Sequence, residues 1–396
     1  MSDDLQPCDP AQILDHVGPG ADIVVPLANG EPTALLNALE ASADQLDGVR
    51  IHQMHAHRDR PYMAGAFGDR LRHVSYFLSG VTRPHYHAGT IELVPNHFSD
   101  VPQMLREHCT DPLIISTATP PDRHGYFSLG TSADYVASFI GRARFFLEVN
   151  EQMPYTFGRN QLHVSQIEGW CRHDAPLATI DALEPSDVDR AIAELVADRI
   201  PDGATLQTGI GSTPNAILSA LRGHRDLGIH SELISAGLVD LIESGAANGV
   251  NKTLNRTKAV GTFALGSQRV YDFIDQNTAV ELWPVNYVNS PLIIAREPGF
   301  VSVNAAIEVD LLGQCASETI GNRYWSSSGG QADFAEGAMF SPGGMAFMVL
   351  PSTAKGGTIS KIVGALRPGT VVTTLKNTVD HVVTEFGVAK LRGQSI

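Results

Sequence analysis

The stretch GATLQTGIGSTPNAILSAL, residues 203–221, decides the fold. A short strand pattern ends in a small glycine loop, Gly209–Gly211, and Pro214 then stands in the first turn of an apolar helix. The same order occurs near the start of the chain in GADIVVPLANGEPTALLNAL, residues 20–39. Pro32 corresponds to Pro214, and Leu35-Leu36 to Ile217-Leu218, with one gap. Two strand–loop–helix units half a chain apart point to two related α/β domains.

Between them lies DAPLATIDALEPSDVDRAIAELVADRI, residues 174–200. Its opening reads as a linker, and Ser186 caps a helix carrying Ile192, Leu195, Val196 and Ile200 at helical spacing. The expected domains are therefore 1–182 and 183–396. Further strands are expected in DPLIISTATP, ARFFLEVN, RVYDFI, GFVSVNAAIEVD, GGMAFMVLPS and GTVVTTL, and a helix in GLVDLIESGAANG. Strands alternating with helices imply two open α/β domains with mainly parallel sheets.

Composition narrows the function. The chain has 396 residues, 37 glycines, 23 prolines and a formal net charge of −15. Such acidity argues against nucleic acid or an anionic membrane as the main partner, but not against a small anionic ligand held by local donors. The acidic N-terminus MSDDLQPCDP does not read as a signal peptide, and apolar runs such as GGMAFMVLP are too short to span a bilayer. Four scattered cysteines (Cys8, Cys109, Cys171 and Cys315) read as free thiols in a reducing compartment. A cytoplasmic protein is expected.

In parallel sheets ligands bind beyond the carboxyl ends of the strands. The glycine turn GIGSTP, residues 209–214, lies at one such end, where backbone N–H groups can hold an oxyanion. Glu232 follows the strand LGIH, and Asn304, Glu308 and Asp310 lie along GFVSVNAAIEVD. WSSSGGQADF, residues 325–334, is small and glycine-rich. STAKGGTISKI offers Lys355 and Lys361, and Glu385 follows a further strand.

These stretches together carry a resemblance. GIGSTPNAIL, LGIHSELISAGLVDLIESG, VNAAIEVDLLGQCASETIG, SSGGQADFAEGA, LPSTAKGGTISKIV and VVTEFGVAKLRG occur in order. ATPPDRHGYFSLGTSADY and EVNEQMPYTFGRNQLHVS add the first half. Nearly the whole chain resembles the acetyl-CoA hydrolase/transferase family of CoA-transferases, most closely its 4-hydroxybutyrate branch.

The resemblance implies a CoA-transferase whose nucleophile is Glu232, with oxyanion donors in the N–H groups of Ile210 and Gly330. It implies that Glu385 orients Glu232. Gly209, Ile210, Gly211, Ser212, Thr213, Asn304, Ser327, Gly329 and Gly330 would line the CoA site, and Lys355 would meet its phosphates. Glu308 stands as the rival nucleophile. Coenzyme A is expected as a substrate, with no tightly bound cofactor and no metal, in a homodimer or higher oligomer. A hydrolase using the same site, or an inactive CoA-binding protein, are the alternatives.

Relatives usually continue into a helical tail where this sequence ends at GQSI. The alternating histidines His52, His55 and His57, with His85 and His87, have the spacing of metal ligands, but are expected to be ordinary surface or core residues.

Overall fold

The computed structural model describes residues 6–181 and 183–396. Residues 1–5 of the acidic N-terminus and residue 182, the expected end of the first domain, lie outside them. Two compact units form. One takes the residues up to Asn96 with Asp100–Thr179 and Tyr271–Asn286. The other takes His97–Ser99, Ile180–Val270 and Tyr287–Ile396. The first unit thus includes Tyr271–Asn286 and the second includes His97–Ser99.

The first unit holds a seven-stranded parallel sheet. Its order from edge to edge is Gly169–Arg172, Arg144–Val149, Leu113–Ala118, Asp22–Val25, Val49–Met54, Leu71–Phe77 and Glu92–Leu93. The strand order reverses beside Asp22–Val25. Every residue of Leu113–Ala118 is buried, as a strand covered on both faces requires.

The second unit holds a six-stranded sheet in the order Gly228–Ile229, Thr205–Thr208, Phe300–Ala305, Met345–Val349, His381–Thr384 and Gly387–Lys390. Only the last strand runs antiparallel, at the edge. Its order reverses between Thr205–Thr208 and Phe300–Ala305, the crevice where open α/β sheets bind ligands. Mainly parallel α/β architecture is what the alternating pattern implies.

Helix Asp187–Ala197 forms as expected, with Ser186 accepting from the Asp189 N–H and Asp189 accepting from the Ser186 N–H. Two expected strands do not form. RVYDFI lies in the helix Gln268–Ile274, because its buried residues Val270, Tyr271 and Ile274 fall on one helical face. GTVVTTL has strand-forming residues but makes only an isolated bridge, Thr374 to Cys315.

Candidate active site

Strand Thr205–Thr208 delivers the glycine turn. The Gly209 N–H donates to the Val303 carbonyl at 2.9 Å, fastening the turn to the neighbouring strand across the switch point. Gly211 has φ +128°, open to glycine and strained for other residues, and stands immediately before helix Ser212–Ala220. No side chain caps that helix. Among the described residues the N–H groups of Ile210, Gly211 and Ser212 meet no acceptor. Ile210 is 68% exposed, so the turn lies at the surface.

Just below the turn, Asp189 accepts from the Thr213 hydroxyl and is also bonded by the Ser212 side chain. Burial pushes its carboxyl up, but these hydrogen bonds and those from Ser186 outweigh it, and it stays below its ordinary range. Asn304 is buried and pairs its amide reciprocally with Gln207, at 3.1 Å in each direction. The Asn304 Oδ1 lies 3.5 Å from where a Cβ on Gly209 would stand.

Glu232 follows the Gly228–Ile229 strand, one residue beyond Ser231, which bonds the backbone of Thr208. The glutamate and the glycine turn therefore leave adjacent strands side by side. One carboxylate oxygen of Glu232 accepts from Asn289 Nδ2 at 2.8 Å, and the Gly330 N–H also donates to the carboxylate. Burial pushes the carboxyl up to about 7 and the nearby Asp333 adds to it, while the donors from Asn289 and Gly330 pull the other way. A carboxylate stripped of water but held by two donors is primed for nucleophilic use.

Gly330 stands at the N-terminus of helix Gln331–Phe340. A Cβ there would collide with the Glu232 carboxylate and the Asn289 amide, so any larger residue would push one or both out of their present positions. Gly329, at φ +56°, accepts the Phe98 N–H at 3.1 Å. Ser99 donates its N–H and hydroxyl to Asp333, at 3.0 and 2.8 Å. Thus His97–Ser99 braces the glycine-rich turn, with Ser327 buried beside it.

Asn289 was not legible in the sequence. It is fully buried, and His230 holds its segment by bonding the Val288 carbonyl through Nε2 at 2.7 Å. Burial lowers the His230 pKa to about 3, so its imidazole is neutral. That ring sits two residues before Glu232 and fixes the backbone that presents Asn289 to it.

Glu385 is not brought to Glu232 by any hydrogen bond among the described residues. Its carboxylate accepts from the Ser352 N–H at 2.8 Å and the Ser352 hydroxyl at 2.5 Å. Burial raises its pKa, but Ser352 and then Lys361 reverse that and leave it lowered. Lys355 sits at φ +49° in the exposed turn between Thr353–Ala354 and Ile359–Ser360. Glu308 lies in a separate small sheet beside Cys315–Ala316, buried, with Oε1 unpartnered among the described residues.

Models of two domains match the chain: the acetyl-CoA hydrolase/transferase N-terminal domain over residues 8–182 and the corresponding C-terminal domain over residues 266–396. The succinyl-CoA:cyclohexane-1-carboxylate CoA transferase of Geobacter metallireducens is 42% identical, covering 98% of this chain and 89% of that one. The 4-hydroxybutyrate coenzyme A transferase of Clostridium kluyveri is 40% identical over 94% of this chain and 88% of its own. The crystal structure of RipA from Yersinia pestis superposes with a TM-score of 0.92 at 34% identity, covering 98% of this chain and 91% of that one.

Proposed function

This chain belongs to the acetyl-CoA hydrolase/transferase family, an enzyme family, and from that premise we propose that it moves coenzyme A between a short-chain acyl-CoA and a small carboxylate such as 4-hydroxybutyrate or butyrate. The Glu232 carboxylate attacks the acyl-CoA carbonyl and expels the CoA thiolate, leaving a mixed anhydride. The thiolate attacks the glutamyl carbonyl of that anhydride, giving a glutamyl-CoA thioester and releasing the first carboxylate. An acceptor carboxylate then attacks the thioester, and the same two exchanges in reverse yield the new acyl-CoA and free Glu232.

Each tetrahedral intermediate places negative charge on a carbonyl oxygen. The unused N–H of Ile210 and the N–H of Gly330 are the donors assigned to it, with Asn289 steadying the glutamate. Gly209–Thr213, Asn304, Ser327 and Gly329 line the thiol end of CoA in this reading, and Lys355 meets its phosphates. Coenzyme A passes through as substrate. The observation that carries the reading is the desolvated Glu232, bonded by Asn289 and Gly330 beside an uncapped glycine turn.

Incubating the enzyme with acetyl-CoA and a panel of small carboxylates tests it. The expected outcome is a new acyl-CoA in proportion to the acetyl-CoA lost. Loss of thioester without a new acyl-CoA would assign the site to hydrolysis, and no turnover with intact CoA binding would make the chain a binding protein.

A further inference from the structure

The histidine-rich stretches disperse in the fold, with one exception. His55 packs on the Phe77 ring, the His57 N–H donates to Glu31, His85 meets Asp59 at 2.8 Å, and His87 lies against Tyr86. His52 turns inward instead. Its Nε2 lies 3.0 Å from Asp22 Oδ1 and 3.8 Å from Cys109 Sγ, and its Nδ1 lies 3.1 Å from the Tyr76 hydroxyl.

The backbone explains the convergence. Val24 pairs with His52 in the parallel ladder, so Asp22, two residues earlier on the same strand, shares the face of His52. Cys109 ends the helix Val101–His108, and the next N–H, of Thr110, donates to Asp22 Oδ2 at 3.3 Å. That bond leaves Oδ1 turned toward the imidazole. Asp22 is the first residue of its strand, so the cluster lies toward the amino ends of the sheet, away from the carboxyl ends where ligands of α/β domains bind.

A Cys–His–Asp relay would put the acid on one imidazole nitrogen and the thiol on the other. Here both lie on Nε2, and Nδ1 goes to Tyr76. This is the arrangement of three donors around a common point. One ligand atom from each of Asp22, His52 and Cys109 lies within 4.8 Å of the other two. In a tetrahedral site with bonds of about 2.0–2.3 Å, ligand atoms stand about 3.3–3.8 Å apart, so shifts of a few tenths of an ångström bring the 3.0 and 3.8 Å separations from His52 Nε2 into range.

We propose that Asp22, His52 and Cys109 form a zinc-type metal site, binding a divalent transition metal through Oδ1, Nε2 and Sγ. Nitrogen and sulfur donors select zinc or cobalt over magnesium or calcium. With a metal on Nε2 the ring proton would sit on Nδ1, where the Tyr76 hydroxyl 3.1 Å away can accept it and hold that tautomer. The Asp22 side chain keeps 13% of its exposure, so water has access to the fourth position. Binding displaces the Cys109 thiol proton and ties two strands to a helix end.

The test uses the full, tag-free chain, stripped with a chelator and titrated with cobalt(II). The site predicts one equivalent bound, a near-ultraviolet thiolate-to-cobalt charge-transfer band, and displacement by zinc. Cys109→Ser removes the band and stoichiometric binding, and Tyr76→Phe weakens binding by about 10–100-fold. If Cys109→Ser does not fold, Asp22→Asn, which keeps the hydrogen bond to His52, reads the same loss of affinity. Absence of the band and of retained metal in the unsubstituted chain overturns the proposal, as does an unchanged band in Cys109→Ser.

Discussion

Two turns of the same design end differently. After strand Asp22–Val25, helix Thr33–Ala41 begins with no cap of its own, and the Glu148 carboxylate fills its N-terminus. Glu148 accepts from the N–H groups of Thr33, Ala34 and Leu35 at 3.1, 2.6 and 3.2 Å. After strand Thr205–Thr208, helix Ser212–Ala220 also lacks a side-chain cap, but nothing among the described residues takes the N–H groups of Ile210, Gly211 and Ser212. Its neighbour Asp189 binds the Thr213 hydroxyl and the Ser212 side chain instead. A helix N-terminus is an anion site wherever it occurs. In one unit the protein closes that site with its own carboxylate, and in the other it leaves the site open beside Glu232.

The largest effect should come from removing the carboxylate beside the open turn. Glu232→Gln is expected to lower transfer by about 10⁴-fold, as loss of a nucleophile does, while CoA binding persists. Steady-state assays and calorimetric CoA titration check both parts. Gly330→Ala should lower kcat/KM by about 10²–10³-fold, because the added Cβ drives into the Glu232 carboxylate and the Asn289 amide.

The pH dependence sharpens the contrast further. In the proposed reaction Glu232 attacks as the carboxylate, and its pKa stands near 7, so kcat/KM for acyl-CoA should fall tenfold per unit below that pH. Asn289 pulls this pKa down, so Asn289→Leu should move the acid limb to higher pH. A buried structural asparagine without that role would leave the limb in place.

The same shift has a stability sign. The folded pKa is raised from 4.5 to about 7, so the folded state holds the proton longer than the unfolded chain. The contribution of Glu232 to native stability therefore falls as pH rises from about 4.5 through 7. Glu232→Gln is expected to be more stable than the unsubstituted chain above pH 7, by up to about 3 kcal/mol, and equal to it at low pH. Denaturant melts at several pH values read this directly.

The smallest effect on transfer belongs to the closed turn. Glu148→Gln loses charge-assisted bonds to three N–H groups, with an expected cost of about 1–2 kcal/mol in stability and a change in kcat/KM of less than about tenfold. Loss of transfer on the scale of Glu232→Gln would show that the two turns do not divide structure from chemistry.

Much of this was legible where the signal is local. The paired strand–loop–helix stretches reported the parallel sheets because period, glycine turn and proline all lie within twenty residues of each other. The stretch around Glu232 and the glycine turns could be read from the residues as a strand-end ligand crevice, and the resemblance supplied their roles. What escaped is held together across the chain. Asn289 reaches Glu232 from 57 residues away, and Ser99 reaches Asp333 from 234. No spacing rule links such pairs. Glu385 stands at a strand end as read, but Ser352, 33 residues earlier, takes its carboxylate. In RVYDFI six residues suited both periods, and burial of Val270, Tyr271 and Ile274 settled it as helix. His52 was grouped with its sequence neighbours His55 and His57, whereas the fold groups it with Asp22 and Cys109.

The central claim is that the carboxylate beside the open turn carries CoA covalently. Treating the enzyme with acyl-CoA, reducing it with borohydride and mapping peptides by mass spectrometry tests this most directly. The Glu232 side chain is expected to be recovered as the alcohol formed by reduction of its thioester. Recovery of Glu232 unmodified, or of the modification on the Glu308 peptide, would contradict it.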